Sequence, residues 1–173
     1  MKLARRCMLV SMCGLITLSP AWTEAGPVQS ERGPSVPRKV LFMCPHGAAK
    51  SVLASAYFRQ LAKERGLNVL VTSAGTEPDA AVAPAVAAHL TRQGLATPAT
   101  APRKVTAKDL AEADLVISLG CDLSGLPTPK GTLQMWDDIP SPSANFAAAD
   151  EAIRARVIAL VDELARQAPP AKP

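Results

Sequence analysis

Apolar residues recur in two rhythms along this chain. Residues 40–43 form an unbroken apolar run, the pattern of a strand buried on both faces of a parallel sheet. Across residues 51–65, Val52, Leu53, Ala56, Tyr57, Leu61 and Ala62 return at helical spacing, and Gly66 follows as a stop. Residues 68–72 read as a second short strand, after which Ser73, Ala74, Gly75 and Thr76 turn the chain. Residues 84–93 predict an alanine-rich helix. Pro84 suits its first turn, where a missing N–H has no partner to lose, and Gly94 ends it. Thr106 caps a short helix through Ala111. Residues 114–119 predict a third strand, 132–136 a fourth, and 137–143 a proline-bearing loop. A long helix over 147–167 closes the pattern, its buried stripe being Ile153, Val157, Leu160, Val161 and Leu164. Strands alternating with helices predict an α/β fold: an open parallel sheet of about four strands with helices on both faces.

Such sheets bind ligands at the carboxyl ends of their strands. Cys44 follows the first strand, Cys121 the third, and Asp137 and Asp138 the fourth, so the chemically loaded positions converge on one edge. Residues 44–51 read Cys-Pro-His-Gly-Ala-Ala-Lys-Ser. A strand end presents a thiol, and a loop of Pro45, His46, Gly47, Ala48 and Ala49 then runs into a helix opened by Lys50 and Ser51. Backbone N–H groups of such a loop can form a nest around a tetrahedral oxyanion, and the helix N-terminus adds partial positive charge. The same field favours a nucleophilic sulfur at Cys44. Lys50 is either a clamp on the anion or a solvated first-turn lysine, and it lacks the planar fork of arginine. Ser51 either hydrogen-bonds the sulfur or caps the helix. His46 reads as a rim residue touching substrate, with no partner for a metal, and no metal is expected. Asp137 and Asp138 either supply an acid for a leaving group or organise the turn before Pro140. Cys121 is either a second thiol for redox work or a half-buried strand-end cysteine.

Composition narrows the setting. The 173 residues suffice for one ordinary domain. The chain is 48% hydrophobic and 3% aromatic, with formal charge +4, part of which belongs to Lys2, Arg5 and Arg6. No basic stripe is interleaved with aromatics, so no nucleic-acid partner is expected. Residues 1–25 read as a signal peptide, 26–38 as a flexible linker, 39–167 as the domain and 168–173 as a disordered tail. The expectation is a secreted or periplasmic protein with no stable membrane association after cleavage. Cys7 and Cys13 would leave with the leader, so Cys44 and Cys121 remain as either a structural disulfide or a reactive pair.

These segments carry a resemblance. Residues 38–167 resemble the low-molecular-weight protein-tyrosine phosphatases and the arsenate reductases that share their fold. Cys44 and Ser51 match the nucleophile loop, residues 71–76 match a Ser-Ala-Gly-Thr segment, and 113–117 match the third strand. Gly120-Cys121 with Trp136-Asp137-Asp138 is closer to the reductases. The resemblance implies a Cys44 thiolate that attacks phosphorus or arsenic, an oxyanion held by residues 45–50, and an aspartate that protonates the leaving group. It implies phosphate, arsenate or a phosphotyrosine-containing substrate, and no cofactor beyond an external thiol reductant for arsenate. In the phosphatase branch water hydrolyses a phosphocysteine; in the reductase branch a second cysteine attacks and a disulfide results. This chain departs from the pattern at four places. Lys50 replaces the arginine, Gly47 replaces an asparagine, the Asp-Pro pair is interrupted as Asp138-Ile139-Pro140, and no cysteine follows Cys121. A non-catalytic protein that binds an oxyanion or a phosphoprotein is the alternative those departures imply.

Overall fold

The computed structural model describes residues 36–167. The expected leader, most of the expected linker and the expected tail lie outside the described residues. Four strands are present, β1 (Arg38–Cys44), β2 (Val69–Gly75), β3 (Leu115–Ser118) and β4 (Thr132–Met135). They form one parallel sheet in the order β2-β1-β3-β4. The helices are α1 (Lys50–Glu64), α2 (Pro84–Arg92), α3 (Ala107–Glu112) and α4 (Phe146–Gln167). The architecture is the expected α/β parallel sheet.

Alternation along β1 explains its unbroken apolar run. Val40, Phe42 and Cys44 enter a core shared with α1, α2 and α4, while Leu41 and Met43 enter a smaller core with Leu110 of α3 and Cys121. Phe42 sits between Phe58 and Trp136, with ring centroids 5.4 Å and 6.1 Å away. The six-residue α3 is held by a capping box: Thr106 accepts from the Asp109 amide, and the Asp109 carboxylate accepts from the Thr106 amide. Arg103 grips the same carboxylate through two hydrogen bonds of 2.7 and 2.8 Å, and this pairing is the main cause that pulls Asp109 down to about 2.

Two expectations need correction. Residues 73–75 belong to β2 and do not turn the chain, because Ala74 pairs with Met43 and Gly75 with Cys44. Small residues with weak strand preference looked like a turn, and the neighbouring strand overrides that preference. The connection from β3 to β4 over residues 119–131 contains no helix, so strands and helices do not alternate throughout. The register brings the strand ends level: Cys44 stands beside Gly75, Met43 beside Ser118, and Ser118 beside Met135.

Candidate active site

The loop from β1 to α1 turns its carbonyls outward. The Pro45 carbonyl accepts from the Glu77 amide at 2.8 Å, that of His46 from Asp79 at 3.0 Å, and that of Ala48 from Ala83 at 3.0 Å. The Ala49 carbonyl accepts the first helical bond, from Leu53 at 2.9 Å. The amides of His46, Ala48, Ala49 and Lys50 donate to no acceptor among the described residues. Backbone donors in folded proteins are rarely left this way, and a run of them at a helix N-terminus forms an anion nest.

Two glycines set the height of this loop. Gly47 has φ 61°, a left-handed conformation that favours glycine. Its partner is Gly75, where a Cβ would lie 2.6 Å from the Gly47 nitrogen and 2.8 Å from the Pro45 oxygen. Both are backbone atoms, so an added methyl cannot be relieved by a side-chain rotation. Gly75→Ala is expected to lower stability by about 1–3 kcal/mol in urea unfolding, the usual range for overpacking. It should also weaken phosphate protection of Cys44 against alkylation, since the loop must move.

Cys44 is buried, and its Sγ donates to Ser51 Oγ at 3.2 Å. An ionised sulfur would accept from the same hydroxyl. Ser51 is fully buried, and the N-cap of α1 is Ala49, so the serine faces the sulfur and does not cap the helix. Lys50 is half-buried and forms no ion pair with a carboxylate among the described residues. Its Nζ lies against Gly120, where a Cβ would be 3.2 Å away. The ammonium therefore extends across the strand ends toward the loop after β3.

Cys121 lies at that loop, buried, its amide donating to Ser118 Oγ at 3.3 Å. Burial pushes its thiol up to about 11, partly opposed by the Ser118 hydrogen bond, while Cys44 and Asp137 raise it and Lys50 lowers it through their charges. Cys44, Lys50, Cys121 and Asp137 thus share one electrostatic neighbourhood. Both cysteines are free thiols. Asp138 turns away: its side chain is 70% exposed and ion-paired with Arg156 of α4. Arg156 also lies over the Trp136 ring, 5.7 Å from its centroid. Both aspartates are exposed; the charge of Asp137 reaches Cys121, while Asp138 is held by Arg156.

His46 stands at the rim, 3.3 Å from the Asp79 carboxylate. Among the described residues no group of three His, Cys, Asp or Glu side chains could hold a metal ion. The cleft above Cys44 has a volume of about 460 Å³. One wall is the nucleophile loop, and the other is apolar, from Pro84, Ala85, Pro142 and Phe146. Those residues and Asp79 went unrecognised in the sequence, which has no motif there. Phe146 is steadied by His89, ring centroids 5.1 Å apart. His89 joins a partly buried polar knot with Tyr57 and Asp150 that ties α1, α2 and α4 together.

Three comparisons with known proteins bear on this geometry. A family model described as low molecular weight phosphotyrosine protein phosphatase matches residues 39–126. No curated protein matches the chain. Among solved structures, an arsenate reductase from Archaeoglobus fulgidus is 30% identical, covering 73% of this chain and 98% of that one, with a TM-score of 0.55. A thioredoxin-dependent arsenate reductase from Corynebacterium glutamicum is 27% identical at a TM-score of 0.67, covering 79% of this chain and 66% of that one. A low molecular weight phosphotyrosine phosphatase from Vibrio cholerae is 23% identical at a TM-score of 0.66, covering 76% of this chain and 99% of that one, a likeness of fold.

Proposed function

The chain belongs to the low molecular weight phosphotyrosine protein phosphatase family, and from that premise we propose that it hydrolyses phosphate monoesters through Cys44. The thiolate attacks phosphorus. The amides of His46, Ala48, Ala49 and Lys50, with the Lys50 ammonium, take the equatorial oxygens. Ser51 supports the sulfur, and Asp137 gives a proton to the departing oxygen. Water then hydrolyses the phosphocysteine. The observation that carries this reading is the loop whose donors are unpaired beside a buried thiol while its carbonyls are bonded outward. The apolar wall of Pro84, Ala85, Pro142 and Phe146 suits an aromatic leaving group. The test is turnover of aryl against alkyl phosphates, with rapid-quench mass spectrometry of Cys44. Faster aryl hydrolysis with a transient phosphoryl adduct on Cys44 is expected. Absence of both turnover and adduct sinks the proposal.

A second reading is arsenate reduction, favoured by the free Cys121 thiol in the same electrostatic neighbourhood. Cys121 would attack the arsenic-bearing Cys44 sulfur, breaking the S–As bond and expelling arsenite, so that As(V) is reduced as the two thiols are oxidised to a disulfide, which an external thiol then reduces. β1 and β3 are paired neighbours, about 4.8 Å apart as adjacent strands are. Only the thiolate attacks, so disulfide formation should accelerate as pH rises toward the Cys121 value near 11. Cys121→Ser should abolish arsenate reduction and leave aryl phosphate hydrolysis within about threefold, because that thiol has no part in hydrolysis. Arsenate-dependent disulfide on mass spectrometry decides for this reading; two free thiols after arsenate decide against it.

The leader-like pattern over residues 1–25 supports export. A secreted form beginning at Gly26 on N-terminal sequencing is the expected result.

A further inference from the structure

A second cavity, of about 200 Å³, lies behind the nucleophile loop, and Gly47 is part of its lining. Its other walls include Arg59 of α1, Val71, Thr72 and Ser73 of β2, and Thr100 and Arg103 of the segment before α3. Among the described residues β2 is an edge strand, and its positions 71–73 have no strand on their outer side. Arg103 already has its carboxylate, Asp109. Arg59 has neither an ion-pair partner nor a hydrogen bond among the described residues. The hydroxyls of Ser73 and Thr100 likewise have no protein partner among the described residues, while Thr72, paired with Leu41, directs its side chain to the other face of the sheet.

The residue Arg59 as a whole is exposed, yet enough protein surrounds its guanidinium to disfavour the charged form, and burial is the only cause. Three other arginines each have a carboxylate partner: Arg65 has Asp162, Arg103 has Asp109 and Arg156 has Asp138. A partly desolvated cation lining one cavity with the unpartnered hydroxyls of Ser73 and Thr100 is complementary to a small anion. Guanidinium and hydroxyl donors match a tetrahedral oxyanion in geometry as well as charge.

We propose that this cavity is a second oxyanion site, separate from the Cys44 loop, that takes a phosphate-class anion on Arg59 and the hydroxyls of Ser73 and Thr100. The peptide of Gly47 separates the two sites, with His46 and Ala48 lining the Cys44 cleft. An anion here would therefore rest against the back of the nucleophile loop, and its occupancy would be felt by the loop.

The test uses the full chain with Cys44 carbamidomethylated, so that the first site is blocked. Inorganic phosphate is titrated at constant ionic strength and followed by amide and arginine side-chain NMR. Saturable shifts at Arg59, Ser73 and Thr100 are expected, with Gly47 following. Arg59→Gln should weaken them about tenfold or more, the scale of losing a charge-assisted hydrogen bond, with the thermal midpoint unchanged. Arg59→Lys should restore binding in part. Sulfate should compete and acetate should not. Shifts that do not saturate, that survive Arg59→Gln, or that acetate reproduces equally overturn the proposal. If unblocked protein binds phosphate only at residues 45–51, this inference fails while the Cys44 reading stands; saturation at Arg59 without any adduct on Cys44 gives the reverse.

Discussion

Cys44→Ser removes more than about a thousandfold of aryl phosphate turnover while phosphate binding at the loop persists. The size follows from the nucleophile: a serine hydroxyl needs a general base, and a thiolate does not. Among the described residues no such base is hydrogen-bonded to the sulfur. Its hydrogen-bond partner is Ser51, another hydroxyl, and His46 is occupied with Asp79 at the rim. Oxyanion binding should survive because its donors are backbone amides and Lys50, none of which the substitution touches. Steady-state kinetics beside calorimetric phosphate binding separates the two effects. Residual activity above a few per cent would place the nucleophile elsewhere, and loss of binding as well would mean that the sulfur shapes the loop. If the wild type binds phosphate but turns nothing over, the chain is an oxyanion binder and Lys50 in place of arginine is the first suspect.

How much of this was legible in the sequence depends on how local the cause is. β1 and the nucleophile loop were legible because their signals are local. An apolar run requires burial on both faces, and a chain of small residues before a helix leaves its amides free to approach a ligand. The end of β2 was misread because the cause lies elsewhere. Gly75 is small on account of Gly47, a residue of another segment whose backbone occupies the space of a side chain. The role of Lys50 could not be settled between clamp and solvated helix residue, since its placement depends on Gly120 permitting the ammonium to lie close. The two aspartates look equivalent in sequence. They part only because Arg156 comes back along α4 to take one of them. The apolar wall of the cleft is assembled from the starts of α2 and α4 and the loop after β4, so no window of sequence contains it.

That separation of the aspartates carries the second large effect. Asp137→Asn should lower kcat for phenyl phosphate by about 10²–10⁴, the range for loss of a positioned general acid. Asp138→Asn should stay within about threefold in activity. Its ion pair with Arg156 is exposed, and such pairs contribute roughly 0–1 kcal/mol to stability. The loss at Asp137 should depend on the leaving group. Phenolate needs a proton as it departs, whereas a nitrophenolate is stable without one. The gap between wild type and Asp137→Asn should therefore narrow as the leaving group becomes more acidic, and the gap for Asp138→Asn should not change with it. A series of substituted phenyl phosphates measures both slopes. A leaving-group-dependent loss at Asp138 would mean that Arg156 releases it toward the cleft during turnover. A uniform loss at Asp137 would assign that carboxylate to the electrostatics of Cys44 and Cys121, whose neighbourhood it shares, and would leave the acid to be found among residues that approach only with substrate bound.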